Sequence, residues 1–152
     1  MHLFGKIEDD RMNINRCGKI AEKEWFRTGD LRPNIKLHEF IVMPNHLHGI
    51  IEITGKTSKG TVPRAPTKAH PIQMLERFGK PKSNTLPTII RSYKANVTKQ
   101  ARLLKHNANF NVWQRNYFEH IVRNEKSYLK IAEYIQNNPL KWKDDKYYGY
   151  YV

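Results

Sequence analysis

Two runs rich in Ile, Val and Phe, separated by a Pro-Asn pair, constrain the fold of this chain more than any other feature. The runs extend from Lys36 to Met43 and from Leu47 to Thr54, and Pro44-Asn45 interrupts them. Such runs, bounded by turn residues, predict β-strands. We therefore expect a sheet built around these two strands.

Apolar residues spaced three and four positions apart predict helices on both sides of this strand pair. We expect helices from about Asn15 to Arg27 and from Thr88 to His106, and a last helix that Asn124 caps and Pro139 stops. Further strands are predicted within residues 3–12 and 118–122. A chain of 152 residues fits one domain spanning 1–152. The order of elements predicts an α+β domain, an antiparallel sheet with helices packed on one face.

The positive charge of the chain is concentrated in its middle third. The sequence has 27 Lys+Arg and 14 Asp+Glu, a formal net charge of +13. Residues 55–105 hold 12 of these bases and one acid, Glu76, whereas the other 101 residues hold 15 bases and 13 acids. Clustered Lys and Arg favour a polyanion, with nucleic acid as the first candidate. The Pro-rich part, at about 55–87, predicts a mobile basic loop.

Several classes of protein are excluded by what the sequence lacks. The single cysteine, Cys17, allows no intramolecular disulfide and fits a reducing compartment. The longest apolar runs are far shorter than the roughly 20 residues that cross a bilayer. The first residues have no signal-peptide pattern. We expect a soluble cytoplasmic protein without a membrane partner.

Two histidines open the second predicted strand. Side chains alternate between faces along a strand, so His46 and His48 point to one side while Leu47 points to the other. Two imidazoles placed in this way can bind one divalent metal ion. The pattern alone also fits a pair of partly exposed strand histidines.

The last predicted helix carries a tyrosine at the border of its apolar stripe. At about 100° per residue, Tyr134 lies roughly 110° from the centre of that stripe. Asn138 lies roughly 40° from Tyr134 on the same side, whereas Gln136 lies roughly 160° away. A boundary tyrosine followed by an ordinary Asn helix stop explains the same pattern.

Taken together, these motifs resemble the single-tyrosine HUH transposases, most closely the branch of REP-associated tyrosine transposases. The resemblance covers most of the chain, and the matching segments are Leu3-Phe4-Gly5-Lys6, Glu39 to Gly49, Pro87 to Lys94, Trp113 to His120 and Tyr134 to Leu140. Members usually carry a further strand before the first of these segments. The resemblance therefore implies a sheet that lacks this N-terminal strand.

The resemblance implies a ferredoxin-like (RRM-like) fold and a specific chemistry. His46, His48 and Asn138 match the residues that hold Mg²⁺ or Mn²⁺, and Tyr134 matches the nucleophile. The implied activity is that of a DNA endonuclease and strand transferase that cleaves single-stranded, hairpin-containing DNA through a 5′-phosphotyrosine link. The implied assembly is a monomer or a homodimer.

The basic helix and the tyrosines allow two interpretations each. Arg91, Lys94, Lys99 and Arg102 could follow a phosphate backbone, or they could form a solvated face. Six tyrosines could stack on unpaired bases or belong to the core; these are Tyr93, Tyr117, Tyr147, Tyr148, Tyr150 and Tyr151.

Two other functions remain open at the level of sequence. The first is a domesticated DNA- or RNA-binding module that keeps the fold without cleavage. The second is a metal-dependent hydrolase with a water nucleophile, which needs a general base near the histidines. Neither motif contains an Asp, and only Glu52 and Glu133 lie near them in sequence.

Overall fold

The computed structural model describes residues 2–54, 85–114, 117–145 and 147–148. In chain order the elements are β1 (Gly5–Glu8), β2 (Arg11–Ile14), α1 (Arg16–Asp30), β3 (Ile35–Val42), β4 (Leu47–Ile53), α2 (Leu86–Lys105), α3 (Glu125–Asn137) and a 3₁₀ helix (Pro139–Asp144). The predicted α+β class is confirmed.

The strands form two antiparallel pairs within the part of the chain that is described, not one continuous sheet. β1 pairs with β2, and β3 pairs with β4. The second pair runs in register from Ile35 opposite Ile53 to Val42 opposite Leu47, with an irregularity between Leu37 and Phe40. The two pairs meet where the backbone N–H of Phe4 donates to the carbonyl of Pro44 at 2.9 Å.

One face of the β3–β4 sheet is covered by α1. The side chain of Asn15 caps α1 by accepting from the N–H of Gly18 at 3.0 Å, which satisfies a donor of the first turn. Trp25 of α1 stacks on Phe40 of β3 with ring centroids 4.5 Å apart. The ring of Tyr93, on α2, meets Trp25 edge-on at 5.8 Å. This face therefore holds the main apolar core.

The opposite face of the same sheet carries α3. Tyr128 of α3 donates from its hydroxyl to Glu39 of β3 at 2.7 Å, and Tyr134 packs on His48 of β4. The predicted α+β class with helices packed on the sheet holds, and α3 adds polar and aromatic contacts on this second face.

Residues 118–122 do not form the predicted strand. They pair with no other strand among the described residues, and Phe118 is 82% and Ile121 71% exposed. β-Branched and aromatic residues favour a strand only where a neighbouring strand and an apolar surface are available. Composition alone therefore misassigned this segment.

The helix boundaries agree closely with the sequence pattern. Asn124 caps α3 through the N–H of Ser127 at 2.8 Å, and α3 ends one residue before Asn138. The mobile loop predicted at about 55–87 lies outside the described residues up to position 84, and its last two residues already belong to α2. Within the described ranges, no helix combines the length and the apolar character needed to span a membrane.

Candidate metal and nucleophile site

Two imidazoles converge beside the start of β4. The Nε2 atoms of His46 and His48 lie 2.9 Å apart, and the two rings are nearly perpendicular. Gly49 of β4 allows the ring of Trp25 on α1 to pack closely against the strand, because a Cβ at position 49 would lie only 2.5 Å from that ring. The close packing of Trp25 on one side of β4 leaves His48 facing α3 on the other.

Asn45 fixes the orientation of the first imidazole. Its Nδ2 donates to the carbonyl of Tyr147 at 2.8 Å, and its Oδ1 lies 2.8 Å from Nδ1 of His46. Because Oδ1 can only accept, Nδ1 of His46 carries the hydrogen of this bond, and Nε2 is the ring nitrogen directed towards His48. An outer hydrogen bond of this kind is what commonly orients a metal-binding histidine. Sequence reasoning assigned Asn45 only to the turn.

Tyr134 lies against this pair. Its ring centroid is 5.4 Å from that of His48, in an edge-on arrangement. Its hydroxyl makes a long hydrogen bond of 3.5 Å to Oδ2 of Asp145. The side chain is 47% exposed, as its position at the border of the apolar stripe requires. Tyr134 is therefore partly open to solvent.

Asn138 has a buried and unsatisfied amide oxygen. The residue is 2% exposed, and Oδ1 has no hydrogen-bond partner among the residues that the structure describes. A buried acceptor without a donor is costly, and a cation is one way to satisfy it. Gln136 is exposed, in agreement with the predicted helical phase.

A pocket of about 290 Å³ connects the amide with the tyrosine. It is lined by Tyr134, Asn138, Lys141, Asp144 and Asp145. The helical phase that puts Tyr134 and Asn138 on one side of α3 therefore brings both to the same pocket.

Asp145 is the site residue that sequence reasoning missed. Possible ligand atoms of His46, His48 and Asp145 all lie within 4.8 Å of one another. Asp145 directly follows the 3₁₀ helix, and no spacing rule relates it to the histidine motif 97 positions earlier. The available signal was the Asp144-Asp145 pair soon after the predicted last helix in a chain with a positive net charge.

The donor set fits a small divalent ion. Imidazole nitrogen together with amide and carboxylate oxygen suits Mn²⁺ well and Mg²⁺ adequately. The unsatisfied oxygen of Asn138 supports the same conclusion, because a cation would complete its coordination. His46, His48 and Asn138 are thus chemically competent as ligands.

A second polar cluster anchors α3 to the sheet. His38 lies 2.8 Å from Glu52 and 3.4 Å from the hydroxyl of Tyr128. The hydrogen bond from Tyr128 holds the pKa of Glu39 below its usual range, and the same bond raises the pKa of Tyr128. Glu52 is therefore engaged with His38, which argues against its use as a general base beside His46.

The four basic residues proposed for DNA binding differ in their surroundings. Arg91 and Lys99 are exposed on α2. Burial lowers the pKa of Lys94, whose ammonium donates to the carbonyl of Gln114 at 3.3 Å and lies 5.5 Å from the ring of Trp113. Arg102 donates from Nε to the carbonyl of Phe110 at 3.1 Å. Lys94 and Arg102 therefore also stabilise the fold.

The tyrosines considered for base stacking separate into core and surface. Tyr93 is 2% exposed and donates to the carbonyl of Ala21 at 3.0 Å, so base stacking by Tyr93 is excluded and the core interpretation is confirmed. Tyr117 and Tyr148 are exposed, and the ring of Tyr147 lies 4.7 Å from that of His46. Tyr150 and Tyr151 lie outside the described residues.

The fold and the site define an α+β domain in which two histidines, His46 just before β4 and His48 within it, lie beside a helix with an exposed tyrosine. The chain is 44% identical over 146 residues to a protein of Haemophilus influenzae that is described as uncharacterized. The alignment covers 96% of this chain and 77% of that relative, and the chain belongs to the same family. No family model and no solved structure matches the chain.

Proposed function

We propose that this protein is a metal-dependent endonuclease and strand transferase that acts on single-stranded, hairpin-containing DNA through Tyr134. One observation carries the proposal. The hydroxyl of Tyr134 is hydrogen-bonded to Asp145, and a carboxylate oxygen of Asp145 lies within 4.8 Å of a ring nitrogen of His46 and of His48. An exposed nucleophile thus adjoins a set of metal ligands.

In the proposed reaction, Tyr134 is the nucleophile. The phenolic oxygen of Tyr134 attacks phosphorus in the DNA backbone, and the bond from phosphorus to the 3′ oxygen breaks. The phenol releases its proton to solvent, and the departing oxygen takes one up. The protein is left joined to a 5′ phosphate, and the DNA keeps a free 3′ hydroxyl.

The ligands of the proposed ion site are His46, His48 and Asn138. A bound Mg²⁺ or Mn²⁺ would polarise the scissile phosphate and so make phosphorus more electrophilic. All three of these ligands are neutral, so they do not themselves reduce the positive charge of the ion. The phosphotyrosine link conserves the bond energy, so rejoining to another 3′ hydroxyl needs no ATP.

The proposed substrate follows from charge. Three of the four proposed bases on α2, Arg91, Lys99 and Arg102, are exposed, and all four lie in the basic third of the sequence. Release of counterions from DNA rewards such clusters, and exposed tyrosines such as Tyr117 and Tyr148 can stack on unpaired bases.

The test is covalent capture. Labelled single-stranded hairpin DNA is incubated with the protein and Mn²⁺, and the products are separated by denaturing electrophoresis. We expect a protein–DNA adduct with the wild type, none without the metal, and none with Tyr134→Phe. Tyr117→Phe is the matched control, because Tyr117 is 43% exposed and lies in another segment, and this variant should still form adduct.

The outcomes separate the candidate functions. DNA binding without adduct under every metal condition favours a binding module. Cleavage without adduct favours a hydrolase with a water nucleophile. Either result overturns the proposal.

A further inference from the structure

The C-terminal segment after α3 returns to the turn that carries His46. Trp142, in the 3₁₀ helix, is buried, and its ring lies 5.9 Å from that of His46. Five residues later, the carbonyl of Tyr147 accepts from Nδ2 of Asn45 at 2.8 Å. The segment is therefore fastened on both sides of Asp145 to the histidine turn.

The carboxylate of Asp145 is oriented by two further hydrogen bonds. Oδ1 accepts from the backbone N–H of Tyr147 at 2.7 Å, and Oδ2 accepts from the hydroxyl of Tyr134 at 3.5 Å. Both bonds leave lone pairs on the carboxylate. Its ligand atom and those of the two histidines lie within 4.8 Å of one another, a spread that one ion can draw together.

We propose that Asp145 is a ligand of the divalent ion, so that the ion ties the C-terminal segment to the histidine pair. The inference rests on the ion site of the proposed function and adds to it a charged ligand from a separate part of the chain. Asn138, whose buried amide oxygen has no hydrogen-bond partner among the described residues, lines the same pocket as Asp145, and a cation is one way to satisfy that oxygen.

The charge of Asp145 distinguishes it from the other ligands. His46, His48 and Asn138 would be neutral metal ligands, so the carboxylate of Asp145 would be the anionic ligand of this set. Hard divalent ions prefer anionic oxygen, and the attraction between opposite charges is large at contact distance. Asp145 should therefore contribute much of the affinity for Mn²⁺.

Asp144 provides a matched control. It is adjacent in sequence, lines the same pocket and carries the same charge, but it is not part of the three-residue cluster. Asp144→Asn and Asp145→Asn remove the same charge and differ in whether a ligand is lost. A purely long-range electrostatic effect would be similar in both and would be screened by salt.

The experiment measures binding of Mn²⁺ alone to the full chain by calorimetry, with electron paramagnetic resonance of free Mn²⁺ as a second measure. We expect His48→Ala to abolish binding, Asp145→Asn to weaken it by about tenfold or more, and Asp144→Asn to change it by less than about threefold. Circular dichroism establishes that each variant is folded.

A second measurement reports on the segment itself. Hydrogen exchange of the backbone amides from Lys141 to Tyr148 should slow when Mn²⁺ is added to the wild type and to Asp144→Asn. It should not slow in Asp145→Asn. Because it compares each variant with itself, this readout remains valid if Asp145→Asn is somewhat less stable.

The failure of this inference differs from the failure of the proposed function. If His48→Ala loses Mn²⁺ while Asp145→Asn matches Asp144→Asn in both measurements, Asp145 is not a ligand and the histidine site stands. If the wild type binds no Mn²⁺, both the ion site and the role of Asp145 are refuted.

Discussion

Asn138 and Gln136 lie two residues apart at the end of one helix, and their surroundings differ completely. Asn138 is buried with an unsatisfied amide oxygen, whereas Gln136 is exposed to solvent. The difference follows from the helical phase, because side chains two positions apart point about 200° away from each other around the helix axis. Proximity in sequence is therefore a poor guide to which amide serves the site.

This contrast gives a prediction for two alanine variants. Asn138→Ala should reduce Mn²⁺-dependent adduct formation by at least about tenfold, because it removes a proposed ligand. Gln136→Ala should change the rate by less than about twofold, because surface substitutions away from a site have little effect. The measurement is the initial rate of adduct formation, with thermal unfolding as the control for stability. Similar losses in both variants would contradict the assignment of Asn138.

The pairing of α1 with α2 depends on a buried tyrosine. The hydroxyl of Tyr93 on α2 donates to the carbonyl of Ala21 on α1. Burial, followed by the negative charge of Glu24, raises the pKa of Tyr93 far above its usual value. The folded protein therefore keeps this phenol protonated, whereas the unfolded chain releases the proton above about pH 10.

A dependence of stability on pH follows. The contribution of Tyr93 is fully present below its unfolded pKa of about 10 and is lost as the pH rises through the higher pKa of the folded state. Tyr93→Phe should cost about 1 kcal/mol at neutral pH by loss of the hydrogen bond. Above about pH 10 the wild type should lose more stability than the variant, so their difference should narrow. Urea unfolding of both proteins at neutral pH and near pH 11 tests this prediction. The same difference in the free energy of unfolding at both pH values would contradict it.

The elements illustrate what sequence pattern can and cannot predict. Asn15 and Asn124 are good helix caps, and the helices begin after them, because capping depends on residues within one turn. Residues 118–122 have strand composition and form no strand, because pairing depends on a partner elsewhere in the chain. Local interactions were predictable from sequence, and long-range pairing was not.

The candidate site shows the same contrast between local relations, which the sequence predicts, and long-range contacts, which it does not. The helical phase correctly related Tyr134 to Asn138, and strand alternation correctly related His46 to His48. Asp145 was missed because it reaches the histidines through a turn of the C-terminal segment, and no local pattern encodes that path. Both sequence interpretations of Lys94, a phosphate contact or a solvated face, overlooked the packing of its ammonium 5.5 Å from the ring centre of Trp113, because periodicity does not distinguish a solvated lysine from a packed one.

Charge at the level of the whole molecule predicts how DNA binding depends on salt. Reversing Arg91, Lys99 and Arg102 to Glu should weaken binding of single-stranded DNA and lower the slope of log affinity against log salt by about one per lost phosphate contact. Fluorescence anisotropy over a range of salt concentrations measures both quantities.

The matched control reverses three exposed bases on α1, namely Arg16, Lys19 and Lys23. This variant has the same net charge as the first, so a specific DNA surface on α2 predicts a clearly smaller effect. Equal effects from the two triple variants would mean that only net charge matters.

The identity of the nucleophile is the central claim, and the sequence around Tyr134 makes it directly testable. Trypsin cleaves after Lys130 and Lys141, and the peptide between them contains Tyr134 as its only tyrosine. Protein captured on hairpin DNA with Mn²⁺ is digested with nuclease and trypsin and examined by mass spectrometry. We expect the residual nucleotide on the peptide of residues 131–141, bound to Tyr134. A nucleotide found on any other tyrosine peptide, with residues 131–141 unmodified, would contradict the claim.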